Sequence, residues 1–242
     1  MNKTAAILII GNEILSGRTR DTNAWWLAQQ LTRLGVLLKR LLVVPDVHAT
    51  VVHDVNELRR AFDYLIVCGG IGPTPDDITR PAVAAAFGRA CVPHPQAVRL
   101  LKAHYAERLT DRRLVMAELP EGAALILNPI TAAPGFRCEN VFVLPGIPEL
   151  VVAMFPQVEA QMERGPLVTR AFPVAVGESS FADLMEAAMA RFPTVEFGSY
   201  PSFSAKQWKC ELVLKGTATD EVDAAVAWLE HAITERAKEL QR

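Results

Sequence analysis

Leu65-Ile-Val-Cys-Gly-Gly-Ile-Gly-Pro-Thr-Pro-Asp-Asp-Ile-Thr-Arg-Pro81 takes a short apolar strand into a glycine-rich bend and out into a helix. Three glycines leave the strand and two prolines stiffen the turn. A helix is expected from about Asp77 to Phe87, so bare backbone N–H groups can face an anion beside a helix amino terminus. Gly69, Gly70 and Gly72 are therefore the candidates for holding phosphate, with Pro73, Thr74 and Thr79 around the ligand. Asp76 and Asp77 stand on the same lip, where two carboxylates would repel a phosphate unless a divalent cation lay between them. That points to metal-assisted phosphoryl chemistry. The plainer alternative is that Asp76 caps the helix and Asp77 favours its dipole. The spacing is not G-x-G-x-x-G and lacks the Lys-Ser/Thr ending of a P-loop, so ordinary dinucleotide dehydrogenases and P-loop ATPases fit poorly.

On either side of this stretch, strands and helices alternate. Ala5–Ile10 is a continuous apolar run that reads as a strand buried on both faces, followed by a loop. Asp21 or Thr22 can cap a helix carrying Trp26, Leu27, Leu31 and Leu34, with Gly35 as its stop. A strand over Leu38–Val44, a helix over His48–Phe62 and the strand ending at Cys68 follow. Further on come a helix over Pro95–Leu109, strands over Ala124–Leu127 and Val141–Leu144, and a helix over Glu149–Met162. This order implies a three-layer α/β/α core with a mostly parallel sheet, which places ligands at the carboxyl ends of its strands. A break at Arg164-Gly165-Pro166 separates residues 1–165 from a small α+β domain, residues 166–242. In it, strands are expected over Pro173–Val176, Val195–Tyr200 and Gln207–Leu214, and helices over Ser179–Arg191 and Asp220–Lys238.

Composition removes several function classes. With 25 basic and 27 acidic side chains the formal charge is -2, too little positive potential to hold nucleic acid or an anionic membrane. Cys68, Cys91, Cys138 and Cys210 form no C-x-x-C pair, which argues against a zinc knuckle, a dithiol site or a secreted disulfide framework and fits a reducing cytoplasm. The opening Met1-Asn-Lys-Thr-Ala-Ala-Ile-Leu-Ile-Ile reads as a buried strand, not a signal peptide. The histidines show no ligand pairing, and neither Ser16 nor Cys68 sits in a nucleophile elbow.

A second constellation, Gly11-Asn12-Glu13-Ile-Leu-Ser-Gly and then Asp21-Thr22-Asn23, opens at the same end of the sheet as the glycine bend. Glu13 stands out, since a carboxylate directly after a buried strand is costly without a metal or a donor. Arg18 and Arg20 could grip phosphate, although exposed arginines are usually plain surface. The turns at Asn128–Phe136 and Leu144–Leu150 contribute Gly135, Pro145 and Gly146, glycines there letting the main chain approach a ring or ribose. Tight-turn duty would explain them equally well. Trp25-Trp26 could form an aromatic shelf or a core helix face.

Gly11-Asn-Glu-Ile-Leu-Ser-Gly, Asp21-Thr-Asn, Gly69-Gly-Ile-Gly-Pro-Thr-Pro-Asp-Asp-Ile-Thr and Leu144-Pro-Gly-Ile-Pro-Glu together resemble the amino-terminal domain of the CinA competence/damage-inducible family, part of the molybdopterin-binding (MoaB/MogA-like) superfamily. The resemblance spans about residues 4 to 160. Met116-Ala-Glu-Leu-Pro-Glu-Gly-Ala and Pro148-Glu-Leu-Val-Val-Ala-Met-Phe also look like the corresponding domain of eukaryotic FAD synthases, and Gly198-Ser-Tyr-Pro like the small domain that follows it. What this implies is metal-dependent cleavage of a nucleotide pyrophosphate such as ADP-ribose or FAD. In the relatives the second acidic residue of the bend is the shared one, which makes Asp77 first choice for metal binding and catalysis, with Asp76 and Glu13 behind it. Magnesium, cobalt or manganese, a monovalent cation such as potassium, a nucleotide or pterin ligand and a homo-oligomer (dimer or trimer) go with this reading. The competing readings are a pterin or nucleotide binder without turnover, and an adenylylating enzyme. Two departures matter: Thr131-Ala-Ala-Pro-Gly replaces the family's Gly-Thr/Ser-Ala-Pro-Gly, and a chain ending at Arg242 leaves no room for the nicotinamide-nucleotide amidase of full CinA proteins.

Overall fold

The computed structural model describes residues 3–204 and 207–240. The chain forms two compact units, Lys3–Arg164 and a second from Gly165 onward. In the first, the elements are β1 (Thr4–Ile10), α1 (Asn12–Leu15), α2 (Asn23–Arg33), β2 (Leu37–Val44), α3 (His48–Ala61), β3 (Tyr64–Cys68), α4 (Thr79–Ala86), β4 (Cys91–Pro93), α5 (Pro95–Tyr105), α6 (Asp111–Leu114), β5 (Glu118–Pro120), β6 (Ala124–Ile126), β7 (Gly135–Cys138), β8 (Val141–Leu144) and α7 (Pro148–Glu159). The main sheet has the order β2-β1-β3-β8-β7-β6. Its β2, β1, β3 and β8 are parallel neighbours, whereas β7 runs antiparallel to both β8 and β6. β4 and β5 pair as a separate antiparallel ribbon.

The apolar runs explain the layering. Along β1, Ala6, Leu8 and Ile10 join one core while Ala5, Ile7 and Ile9 join the other; in β3, Leu65 and Val67 part from Ile66 and Cys68 in the same way. A strand whose alternate side chains all need cover can only sit between two helical layers. One layer supplies Val51, Val55 and Leu58 of α3, Val83 of α4 and Leu101 of α5. The other supplies Leu27 and Leu31 of α2 with Val151, Phe155 and Val158 of α7, and Trp26 meets Phe155 edge to face with centroids 5.3 Å apart. Among the described residues no helix is long and apolar enough to cross a membrane.

The sequence expectation errs in particular places. The loop expected after β1 begins with the single helical turn α1, the helix expected from Asp77 starts at Thr79, and the one expected to Leu109 ends at Tyr105. The stretch from Gly135, read as a turn, is strand β7.

The second unit contains β9 (Val168–Val174), α8 (Ala182–Arg191), β10 (Glu196–Ser204), β11 (Gln207–Gly216) and α9 (Thr219–Leu240), with an antiparallel sheet ordered β10-β11-β9. Val222, Ala225, Leu229 and Ile233 of α9 form the stripe that covers Phe172, Leu212 and Leu214. β9 begins earlier than the expected Pro173, and a turn of 3-10 helix, Glu178–Ser180, precedes α8 where one continuous helix was expected.

Burial fixes the thiol chemistry of the sheet. Desolvation pushes the Cys68 thiol far up, with the nearby Asp21 carboxylate adding to it, and pushes Cys138 up to about 11. A raised thiol stabilises the fold fully below the unfolded value of 9.0, and that contribution is lost as the pH climbs through the folded value. The expected result is that native Cys68 and Cys138 resist alkylation at pH 8, read by peptide mass spectrometry, and that urea midpoints fall between about pH 9 and 11. Rapid labelling of Cys68 in the native protein would contradict this.

Candidate functional site

The carboxyl ends of β1, β3 and β8 lie side by side, and their loops are tied together. Gly11 N–H donates to Val44 O at 3.1 Å and Gly69 N–H to Leu144 O at 3.1 Å, each extending a parallel ladder past its strand. Gly69 then turns with φ +104°, and a β-carbon on it would stand 2.2 Å from Ile10 O. Only glycine lets the chain leave β3 this close to β1. Across the edge, Gly146 lies so near that its β-carbon would touch Gly69 Cα at 3.5 Å.

The loop after β1 joins the same cluster. Asp21 Oδ1 accepts from the N–H of Asn23 at 2.9 Å and of Ala24 at 3.3 Å, so Asp21 satisfies the start of α2. Asn23 is buried and donates through Nδ2 to Gly146 O at 2.7 Å. Asp46, which the sequence reading passed over, accepts from Asn12 N–H at 2.8 Å and fixes α1 to the end of β2. Thr22 and Asn23 line a groove of about 130 Å³ with Trp25, Trp26, Pro148 and Val152, and Trp25 is 66% exposed. Pro145 sits half-buried between β8 and the exposed Gly146.

Several expected site residues turn out differently. Asp77 turns back into the bend. Its Oδ1 accepts from Gly72 N–H at 2.7 Å, and its Oδ2 from Thr74 N–H at 2.8 Å and from the Thr74 hydroxyl. It closes the bend on itself, and neither it nor Asp76 is the N-cap, a position held by Ile78 without a side-chain bond. The amides of Gly69 and Gly72 are both taken, which leaves Gly70 and Ile71 as the N–H groups of the bend without an acceptor among the described residues. Thr79 is fully buried, donating its hydroxyl to Gly69 O at 2.8 Å and its N–H to Gly70 O at 3.0 Å, so it supports the bend from within and does not face a ligand. Gly135 is buried in β7, where a β-carbon would meet Val143 O at 2.4 Å and Met154 Cε at 2.9 Å. Its bareness serves strand and helix packing, not a ring or ribose. Glu13 is exposed, its carboxylate folded back toward Gly11, so the burial cost that singled it out does not exist. Arg18 and Arg20 are exposed too.

Asp76 is exposed, and the neighbouring Thr74 hydroxyl together with its own backbone N–H holds its carboxyl below the usual carboxylate range. Behind the bend lies a cavity of about 230 Å³ whose walls include Pro73, Thr74, Asp77, Arg80, Arg112 and Glu118. Arg80 is 3% exposed and donates to Ile71 O and, at 2.9 Å, to Gly72 O. Its only sequence signal was an arginine set in the apolar helix Thr-Arg-Pro-Ala-Val-Ala-Ala-Ala. Among the described residues the three-ligand grouping within metal reach is His53, Asp54 and Glu57 on α3, where Asp54 is half-buried and Glu57 already pairs with Arg40.

A mostly parallel sheet whose glycine loops gather at its carboxyl edge, flanked by helices on both faces, is a three-layer α/β/α architecture. The chain belongs to the probable molybdopterin binding domain family, whose profile matches residues 6–163, and residues 166–240 match the FAD synthase middle domain. A solved structure from Thermoplasma acidophilum, described as the protein CinA with unknown function, is similar at 33% identity and a TM-score of 0.63, covering 66% of this chain and 98% of that one. A protein of Pyrobaculum calidifontis is 39% identical over 82% of this chain and 80% of its own length. A probable FAD synthase of Caenorhabditis elegans is 32% identical over 94% of this chain, which spans 49% of that longer protein.

Proposed function

We propose that the first unit binds a nucleoside diphosphate compound, such as ADP-ribose or FAD, at the carboxyl edge of β1, β3 and β8 and hydrolyses its pyrophosphate with the help of a divalent cation. The observation that carries this reading is the pair of N–H groups on Gly70 and Ile71, left without acceptors beside the Asp21–Asn23 and Gly146 loops. Such donors at a strand-to-helix bend suit a phosphate. The Trp25 and Pro148 groove next to Asn23 offers a flat apolar wall for a base or a pterin ring.

The donor set fits a hard cation. Asp76 is exposed and ionised, and Asp77 Oδ1 keeps a free lone pair after accepting one bond. Magnesium, cobalt or manganese held there would neutralise phosphate charge and activate water. Asp77 Oδ2, by contrast, already accepts two bonds, and this favours a second reading in which the site holds a pterin or nucleotide without turnover.

Incubating the full chain with ADP-ribose or FAD and each metal, and following AMP by chromatography, separates the two. AMP release that stops with a chelator is the expected result. Tight binding without AMP leaves the second reading, and neither binding nor AMP removes both.

A further inference from the structure

Four successive carbonyls of the glycine bend are held from one side, by the first turn of α4. Gly69 O accepts from the Thr79 hydroxyl, Gly70 O from Thr79 N–H, and Ile71 O and Gly72 O from the two arms of the Arg80 guanidinium. In a planar trans peptide the N–H of the next residue points opposite to the carbonyl. Fixing those oxygens therefore turns the N–H groups of Gly70, Ile71 and Gly72 away from α4. Asp77 takes the third, and Pro73 offers none.

Neither buried group is explained by packing. Taking a guanidinium out of water is expensive, and burial holds Arg80 below its ordinary value even with Asp77 and Glu118 nearby to offset the loss. A planar guanidinium also presents its donors in a fixed fork, a geometry suited to serving two adjacent carbonyls at once. We propose that Arg80 is a positioning residue for anion binding: with Thr79 it sets the peptides of Gly69 to Gly72 so that the Gly70 and Ile71 N–H groups form a two-donor cradle for a phosphate. This rests on the nucleotide reading only for the identity of the natural ligand.

Inorganic pyrophosphate, which needs no turnover, is the probe. In a 15N-labelled protein titrated with it, with and without magnesium, the Gly70 and Ile71 amide signals shift most. Arg80→Gln and Arg80→Lys weaken pyrophosphate binding at least tenfold while signals from β1 and β8 stay in place; lysine fails because a single ammonium cannot span both carbonyls in the fork's geometry. Should the Arg80 variants not fold, Thr79→Val loosens the same cradle and Thr79→Ser, which keeps the hydroxyl donor, restores binding. If hydrolysis occurs, Arg80→Gln raises KM more than it lowers kcat. Unmoved Gly70 and Ile71 signals at high pyrophosphate, or wild-type affinity in Arg80→Gln, would overturn the proposal. Amide shifts without any cleavage of ADP-ribose would sink the hydrolase and leave the cradle standing.

Discussion

Gly69→Ala will cost the protein about 3 kcal/mol, the sum of left-handed backbone strain and forced overpacking. The position has φ +104°, a region an L side chain rarely adopts, and the added β-carbon would lie 2.2 Å from Ile10 O. The obstacle is main chain at the end of β1, so no rotamer can relieve it. Gly146→Ala is the control, because its β-carbon meets only Gly69 Cα, at an ordinary 3.5 Å. That variant should stay within about 0.5 kcal/mol of the parent. Urea unfolding followed by tryptophan fluorescence compares them, and equal midpoints for the two would refute the steric account.

Asp77→Asn will lower turnover, or ligand affinity if there is none, by about 100-fold, with a loss of stability of about 1–3 kcal/mol. The substitution is nearly isosteric, yet it swaps one acceptor oxygen for an amide NH2, which only donates. Either Gly72 N–H or Thr74 N–H then faces another donor, and the bend loses the bond that closes it. The measurement that gives this meaning is the metal dependence. If Asp77 braces the bend, the loss persists at saturating magnesium and the Gly72 and Thr74 amide signals move. If Asp77 is a metal ligand as well, the magnesium needed for half-maximal activity rises too. An Asp77→Asn protein that behaves as the parent in both respects would remove Asp77 from the site altogether.

The layered core was legible because its signals are periodic. Ala5–Ile10 and Tyr64–Cys68 are apolar at every position, and only a strand covered on both faces needs that pattern. The glycine bend and the loops after β1 and β8 were legible for a topological reason, since parallel strands deliver their following loops to one edge. What escaped was set by long-range contacts. Gly135-Phe-Arg-Cys is too short to show alternation, and its strand character comes from pairing with β8 and β6. Asp77 and Asp76 are neighbours with the same side chain, and nothing in their spacing tells that one folds back onto Gly72 and Thr74 while the other stays in solvent. Arg80 owes its place to two backbone carbonyls of the bend, contacts that no local sequence pattern encodes.

The bond from Asn23 to Gly146 O bridges the loops on either side of β3. With Asn12 pinned by Asp46 and Gly72 by Asp77, the mouth of this sheet has its shape before any guest arrives. A receptor that starts out ordered has little chain entropy left to surrender on complexation, so more of the contact energy survives as affinity. Its calorimetric heat-capacity change should match the ligand area covered and carry no excess from coupled folding.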